Sequence, residues 1–170
     1  MPQDEPTGPD LAGVVADARR ADLEFVVIGG FSVIYHGHIR ATKDSDLLVP
    51  DGPEADEAIL RFLDRAEATR LRDGKRLTLD EVKGVQHLRL NSRHGIVDLL
   101  RGGLPPLDYD TVAQRAVEDV WEGQAVRIAA LPSLVGFKRL AGRPQDRQDL
   151  SDLQALYGEL PIEPIPGVDS

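Results

Sequence analysis

Residues 25–50 read FVVIGGFSVIYHGHIRATKDSDLLVP. The opening run, Phe25-Val26-Val27-Ile28, is apolar, rich in β-branched side chains and closed at once by Gly29-Gly30. That pattern predicts a short buried strand ending in a tight turn. Apolar residues at 31, 33 and 34 then predict a short helix from Phe31 to His36. Its first backbone N–H groups sit at the glycine turn, where they favour an anion such as phosphate. Asp44-Ser45-Asp46 runs into Leu47-Leu48-Val49, a second strand. Residues two apart on a strand project to one side, so Asp44 and Asp46 face the same way. Two such carboxylates repel unless a cation lies between them. All-oxygen ligands suit Mg²⁺, above all when substrate phosphates complete its shell.

A glycine pair alone is a turn, and a D-x-D alone is a solvated loop. Their order is what matters: strand, glycine turn, short helix and paired carboxylates put a phosphate site beside a metal site. Gly29-Gly30-Phe31-Ser32, followed by His36-Gly37, Arg40-x-Thr42 and Asp44-x-Asp46, resembles the signature of the nucleotidyltransferase superfamily, whose fold is that of DNA polymerase β. The branch most similar in pattern is the small bacterial one of minimal nucleotidyltransferases and abortive-infection type II toxins. The resemblance implies that Gly29, Gly30 and Ser32 hold a nucleoside triphosphate and that Arg40 and Thr42 belong to the nucleotide site. It implies that Asp44 and Asp46 bind Mg²⁺, two ions with nucleotide in place, and that a third carboxylate on a later strand completes the site. Ser45 departs from the family pattern, which more often has an apolar residue there.

Downstream, Val85–Leu90 and Ile96–Leu100 are β-rich runs around Asn91–Gly95, which predicts a hairpin. Asp98 places a charge inside an apolar run, costly unless it is paired or bound to a cation. Arg89 is an available partner. Beside Asp44 and Asp46, Asp98 matches the third carboxylate of the family, a metal ligand that also helps activate the attacking hydroxyl. The three carboxylates are expected to converge within about 6 Å, close enough to perturb one another. Residues 134–150 again resemble the minimal branch, which implies that Lys138 binds the triphosphate and Asp149 orients it. Without the resemblance, Lys138, Arg139, Arg143 and Arg147 read as a solvated basic face, and Asp146 and Asp149 as charges complementing a helix dipole.

Helical spacing recurs from Pro9 to Ala21, Glu54 to Glu67, Tyr109 to Val117, Leu131 to Ala141 and Asp146 to Tyr157, with a short strand at Gln124–Ile128. Residues 68–84 are ambiguous. The expected fold is α/β (α+β), a mixed sheet of about five strands flanked by helices. Residues 1–8 read as a disordered lead-in, 9–158 as one domain, and 159–170 as a Pro-rich tail, extended or loose.

The chain has 170 residues, no cysteine and a net charge of −9. It is large enough for a core without staples, and disulfides and thiolate zinc sites are excluded. The acidic start has no signal-peptide pattern and no apolar run reaches membrane-spanning length, so a cytoplasmic protein with no membrane partner is expected. The charge opposes a long nucleic-acid footprint but not a local basic patch that grips one RNA end. His36, His38, His87 and His94 lack structural-zinc spacing and read as turn or pocket residues. Neither a G-x-S-x-G elbow nor a G-x-x-x-x-G-K-[ST] loop is present.

The expected activity is Mg²⁺-dependent transfer of an NMP from an NTP to a hydroxyl. The acceptor is a tRNA 3′ end, a protein or a small molecule, and the branch resemblance adds a toxin–antitoxin or phage-defence setting with a cognate toxin or antitoxin as partner. The alternative is a non-catalytic nucleotide-binding or toxin/antitoxin interaction protein with the same fold.

Overall fold

The computed structural model describes residues 8–169, so the lead-in expected at 1–8 lies outside the described residues except for Gly8. Helix α1 (Leu11–Arg20) is followed by strand β1 (Val26–Ile28), helix α2 (Gly29–Tyr35), strand β2 (Asp44–Leu48) and helix α3 (Pro53–Arg65). Strand β3 (Thr69–Arg70), helix α4 (Leu79–Val82) and the hairpin β4 (His87–Ser92) and β5 (Gly95–Leu100) come next. The chain then forms α5 (Tyr109–Arg115), the hairpin β6 (Val117–Trp121) and β7 (Gln124–Ile128), and helices α6 (Leu131–Ala141) and α7 (Pro144–Tyr157).

One sheet holds seven strands in the order β3-β4-β5-β2-β1-β7-β6. It is mixed, as expected: β2 runs parallel to β5 and β1 parallel to β7, while β1 and β2 are antiparallel. The five expected strands are present and two are added. β3 has only two residues, too short to leave a periodic signal. β6 reads VEDVW, an edge strand whose Glu118 and Asp119 are exposed, and its turn is Glu122-Gly123 with positive φ at both residues. That is the two-residue hairpin turn whose backbone twist suits the flanking strands. The β4–β5 loop is likewise shorter than the sequence suggested: Ser92 pairs with Gly95 across Arg93 and His94.

Period-two alternation sends the sheet residues to two faces. Val27, Leu47, Val97 and Leu99 join the larger core with Val14 and Val15 of α1 and Ile59 and Phe62 of α3. Val26, Ile28 and Leu48 face the other way, where α5 and Phe137 of α6 cover them. A third cluster, Val33, Leu134 and Leu153, ties α2 to α6 and α7. The segment after α7 has no regular structure, yet it is not loose. Ile165 is buried beside Gly136, Glu163 pairs with Arg115 and Asp169 with Arg139.

Candidate active site

Register builds the site. Ile28 pairs with Asp46, Asp46 with Asp98, and Asp98 with Arg89, so four adjacent strands set these residues side by side. Asp44 lies two residues before Asp46, on the same face. The structure thereby brings Asp44, Asp46 and Asp98 together, with one oxygen from each within 4.8 Å of the others. Asp46 is the uncompensated member: no hydrogen-bond donor among the described residues reaches its carboxylate. Burial, then the charges of Asp44 and Asp98, push its pKa up to about 8. Asp98 accepts from His87 Nε2 at 2.8 Å and from Arg89 Nη1 at 2.6 Å, and the same Nη1 lies 3.2 Å from Asp44 Oδ2. Arg89 therefore pairs with Asp98 and also bridges to Asp44. Burial opposes its charge, but Asp98 and Asp44 outweigh that and raise its pKa.

The glycine pair forms the first turn of α2 instead of a loop ahead of it. Gly29 has φ +68°, and a Cβ there would lie 1.9 Å from Asp46 Oδ2. Both the backbone angle and the close approach of the carboxylate require glycine. At Gly30 a Cβ would lie 2.4 Å from Thr42 Oγ1, so the segment that carries Thr42 can pack onto the helix start only because no side chain intervenes. Ser32 is fully buried and its hydroxyl donates to Gly29 O at 2.7 Å; Thr42 Oγ1 donates to Asp44 O at 3.2 Å. Ser45 is buried against the larger core, and its hydroxyl has no partner among the described residues.

Lys138 is buried between Asp146 at 3.1 Å and Asp149 at 2.9 Å. Asp149 is also held by Arg40 through Nε at 2.8 Å and Nη2 at 2.9 Å, and by Gln145. Asp146 accepts from the Arg143 backbone and side chain. Burial alone would raise the pKa of both aspartates, but these cationic donors reverse it and hold both below the ordinary range. Gly29, Asp46, Asp98, Lys138, Arg143 and His87 line one cavity of about 200 Å³. Gly30, Ser32, Arg40, Thr42, Asp44 and Asp149 do not line it. A larger cavity of about 740 Å³ lies at the opposite end of β1 and β2, against Phe25, Pro50 and Arg127, and holds none of the candidate residues.

His36 and His38 are tied to Ala129 O and Asp152, away from the carboxylates. His87 and Arg143 were not among the residues expected to act at the site. The missing signal for His87 is its two-residue spacing from Arg89, which places both on one face of β4 once that strand is paired to β5.

No protein-family model matches the chain, and no curated protein matches it in sequence. Solved structures do. The solution structure of the antibiotic-resistance factor ANT(2″)-Ia aligns with a TM-score of 0.57 at 12% identity, over 87% of this chain and 82% of that one. A crystal structure of ANT(2″)-Ia in complex with adenylyl-2″-tobramycin gives 0.57 at 13% identity, over 87% of each chain. An antigenic nucleotidyltransferase-like protein from Paracoccidioides brasiliensis aligns over 88% of this chain and 77% of that one at 15% identity, with a TM-score of 0.49, a likeness too weak to weigh. At these identities the likeness is one of fold. This chain has the nucleotidyltransferase fold.

Proposed function

From that fold, and from three carboxylates converging beside a glycine turn, we propose that the protein is a Mg²⁺-dependent nucleotidyltransferase that moves an NMP from an NTP to a hydroxyl. The supporting observation is the acidic triad: three oxygens within 4.8 Å, one of them on a half-buried carboxylate without a donor, is an arrangement that a hard cation stabilises. Asp44, Asp46 and Asp98 would hold the ion. A bound divalent cation would supply Lewis-acid charge at the reacting oxygens.

The chain's own residues do the rest by position and charge. Gly29 brings the backbone close to Asp46, and Gly30 lets the segment carrying Thr42 pack on the helix start, with no side chain in the way at either position. An ammonium has three donors, and Asp146 and Asp149 take two of those on Lys138, leaving one for a phosphate oxygen in the shared cavity. Asp149 serves the nucleotide through Lys138 and Arg40, which it holds in place, while Ser32 and Thr42 shape the turn and the approach to Asp44. The acceptor oxygen bonds to the α-phosphorus as the bond to the bridging oxygen breaks. Pyrophosphate leaves with that electron pair, and the hydroxyl proton passes to the Asp98 carboxylate and on to water. The motif resemblance to the minimal and abortive-infection branch supports, as a proposal, a toxin–antitoxin or phage-defence setting with a cognate partner.

The test is label transfer from each α-³²P-NTP with Mg²⁺ to pools of RNA, protein and small molecules, alongside calorimetric NTP titration. Asp98→Ala is expected to keep NTP affinity within a few-fold and to lower transfer by about 1,000-fold, because Asp98 acts chiefly in the transition state. Wild-type protein that binds Mg²⁺–NTP and labels nothing is instead the non-catalytic binding module.

A further inference from the structure

The acceptor's chemistry can be read from the flank of the triad that faces away from Lys138. Across the sheet the order is β1, β2, β5, β4, β3, with the glycine turn at the β1 end and the carboxylates on β2 and β5. A triphosphate held at Gly29 and Lys138 therefore leaves the β4 side open to the second substrate. On that side lies a groove of about 370 Å³ beside β4, within the roughly 300–1,000 Å³ typical of small-ligand sites. Arg70, Arg72, His87 and Arg89 line it against a single Glu81. His87 lines the triad cavity as well, so one imidazole borders both spaces. Leu71, Leu77 and Val85 give the groove apolar surface between its cations.

We propose that this groove is the acceptor subsite and that it takes an acceptor carrying a phosphate beside its hydroxyl, as a nucleotide or a nucleic-acid 3′ end does. The inference rests on the nucleotidyl-transfer reading of the triad and names the class of its second substrate. In a chain of net charge −9, a lining of three arginines and a histidine against one glutamate is a local reversal of sign, tempered where Asp73, Asp98 and Asp44 pair with two of the arginines from outside the lining. Such a reversal raises the concentration of an anion and repels a polycation. The acidic triad on its own would attract a polycation, so the arginine rim is what discriminates. Each arginine has a different task. Arg70 is fixed by Asp73 and lies 4.0 Å from Glu81, so its guanidinium is oriented but largely neutralised. Arg72 makes no hydrogen bond or salt bridge among the described residues; its charge is felt by Asp73, which Arg70 already holds, so its guanidinium donors remain open to a phosphate. Arg89 links groove to triad through Asp98 and Asp44. A sugar and base could lie on the leucine and valine surface, with the hydroxyl directed past His87 to Asp98.

The test measures binding and transfer separately. A short fluorescein-labelled RNA with a free 3′-OH is titrated by anisotropy with wild type, Arg72→Glu and Arg72→Lys, with AMP and spermine as competitors. Arg72→Glu is expected to weaken RNA binding by about tenfold and to lower the salt slope by about 1, with Lys restoring both. AMP that competes as well as unlabelled RNA identifies a nucleotide acceptor, while RNA that competes far better identifies a strand end. Spermine that occupies the groove, or label delivered to a protein or a polycation at a rate Arg72→Glu leaves unchanged, overturns the proposal. So does an absence of binding by every phosphate-bearing probe. Failure of transfer to every acceptor, with RNA binding still sensitive to Arg72, rejects the transferase reading and not the anion groove.

Discussion

Two clusters of charge lie at the same end of the sheet, one buried and one half-buried, and they are built on opposite terms. Around Lys138 every carboxylate is answered. Asp149 faces Lys138, Arg40 and Gln145, Asp146 faces Lys138 and Arg143, and both aspartates are easier to ionise than a free carboxylic acid. In the triad Asp46 faces two like charges and burial, and is harder to ionise. The nearest cation, Arg89, reaches Asp44 and Asp98 from a side chain that is 45% exposed. Buried charge is tolerable when it is paired and hydrogen-bonded, and every carboxylate of the Lys138 cluster is satisfied within the chain, with one ammonium donor to spare. Asp46 of the triad is not. The difference teaches which carboxylates the chain answers with its own cations and which it leaves facing one another.

The comparison breaks most easily at Asp149. Asp149→Ala would remove a carboxylate that is fully buried and leave Lys138 and Arg40 undercompensated. Breaking a buried pair in this way costs on the order of 3 kcal/mol, roughly 6–12 °C in Tm for a domain of this size. The loss should be the same in EDTA and in Mg²⁺, since neither aspartate of this cluster belongs to the triad. Thermal melts in both buffers check this, and a loss confined to Mg²⁺ would make Asp149 part of the metal response.

How much of this could be seen in the chain beforehand follows from the range of the interactions. Asp44 and Asp46 could be placed on one side because strand alternation is local, and Asp98 stood out as a charge in an apolar run. The alignment of Ile28, Asp46, Asp98 and Arg89 could not, because it depends on β2 and β5 being neighbours some fifty residues apart in sequence. The same holds for His87, whose relation to Asp98 exists only across the β4–β5 ladder. Lys138 and Asp149 could be singled out by motif, but not that Asp149 spends its oxygens on Lys138 and Arg40. β6 was lost for a local reason: Glu118 and Asp119 interrupt the alternation on an edge strand, and Val117 looked like the last turn of the preceding helix.

At Asp46 the comparison can be sharpened through pH. A carboxyl whose folded pKa is raised binds a proton in the folded state that the unfolded chain has released. Its stabilising contribution is complete below about pH 4 and is lost as pH rises toward about 8. Asp46→Asn carries no such penalty. In EDTA its Tm should match wild type near pH 4 and exceed it by several degrees near pH 8, while its Mg²⁺–NTP shift is smaller. Melts across that range measure the difference. A variant less stable than wild type at every pH would make Asp46 a structural residue and erase the contrast with Asp149.

The smallest effect should come from Arg89, and it is the most diagnostic of the triad's incompleteness. Nη1 stands 2.6 Å from Asp98 and 3.2 Å from Asp44, so in metal-free protein the guanidinium offsets part of the repulsion that a divalent cation would offset better. Being partly exposed, the pairing contributes at most ~1 kcal/mol. Arg89→Gln should therefore lower the Tm in EDTA by only about 2–4 °C. In Mg²⁺ the sign of the difference should change, because the ion no longer competes with a fixed positive charge for the same two carboxylates. The Mg²⁺-induced rise in Tm should then be larger in the variant than in wild type, and half of it should be reached at a lower Mg²⁺ concentration. Thermal shift against Mg²⁺ concentration reads both quantities without any requirement for turnover. An equal loss with and without Mg²⁺ would make Arg89 a strut of the β4–β5 ladder. A Mg²⁺ response that shrinks would mean that Arg89 helps to hold the carboxylates for the ion instead of standing in for it.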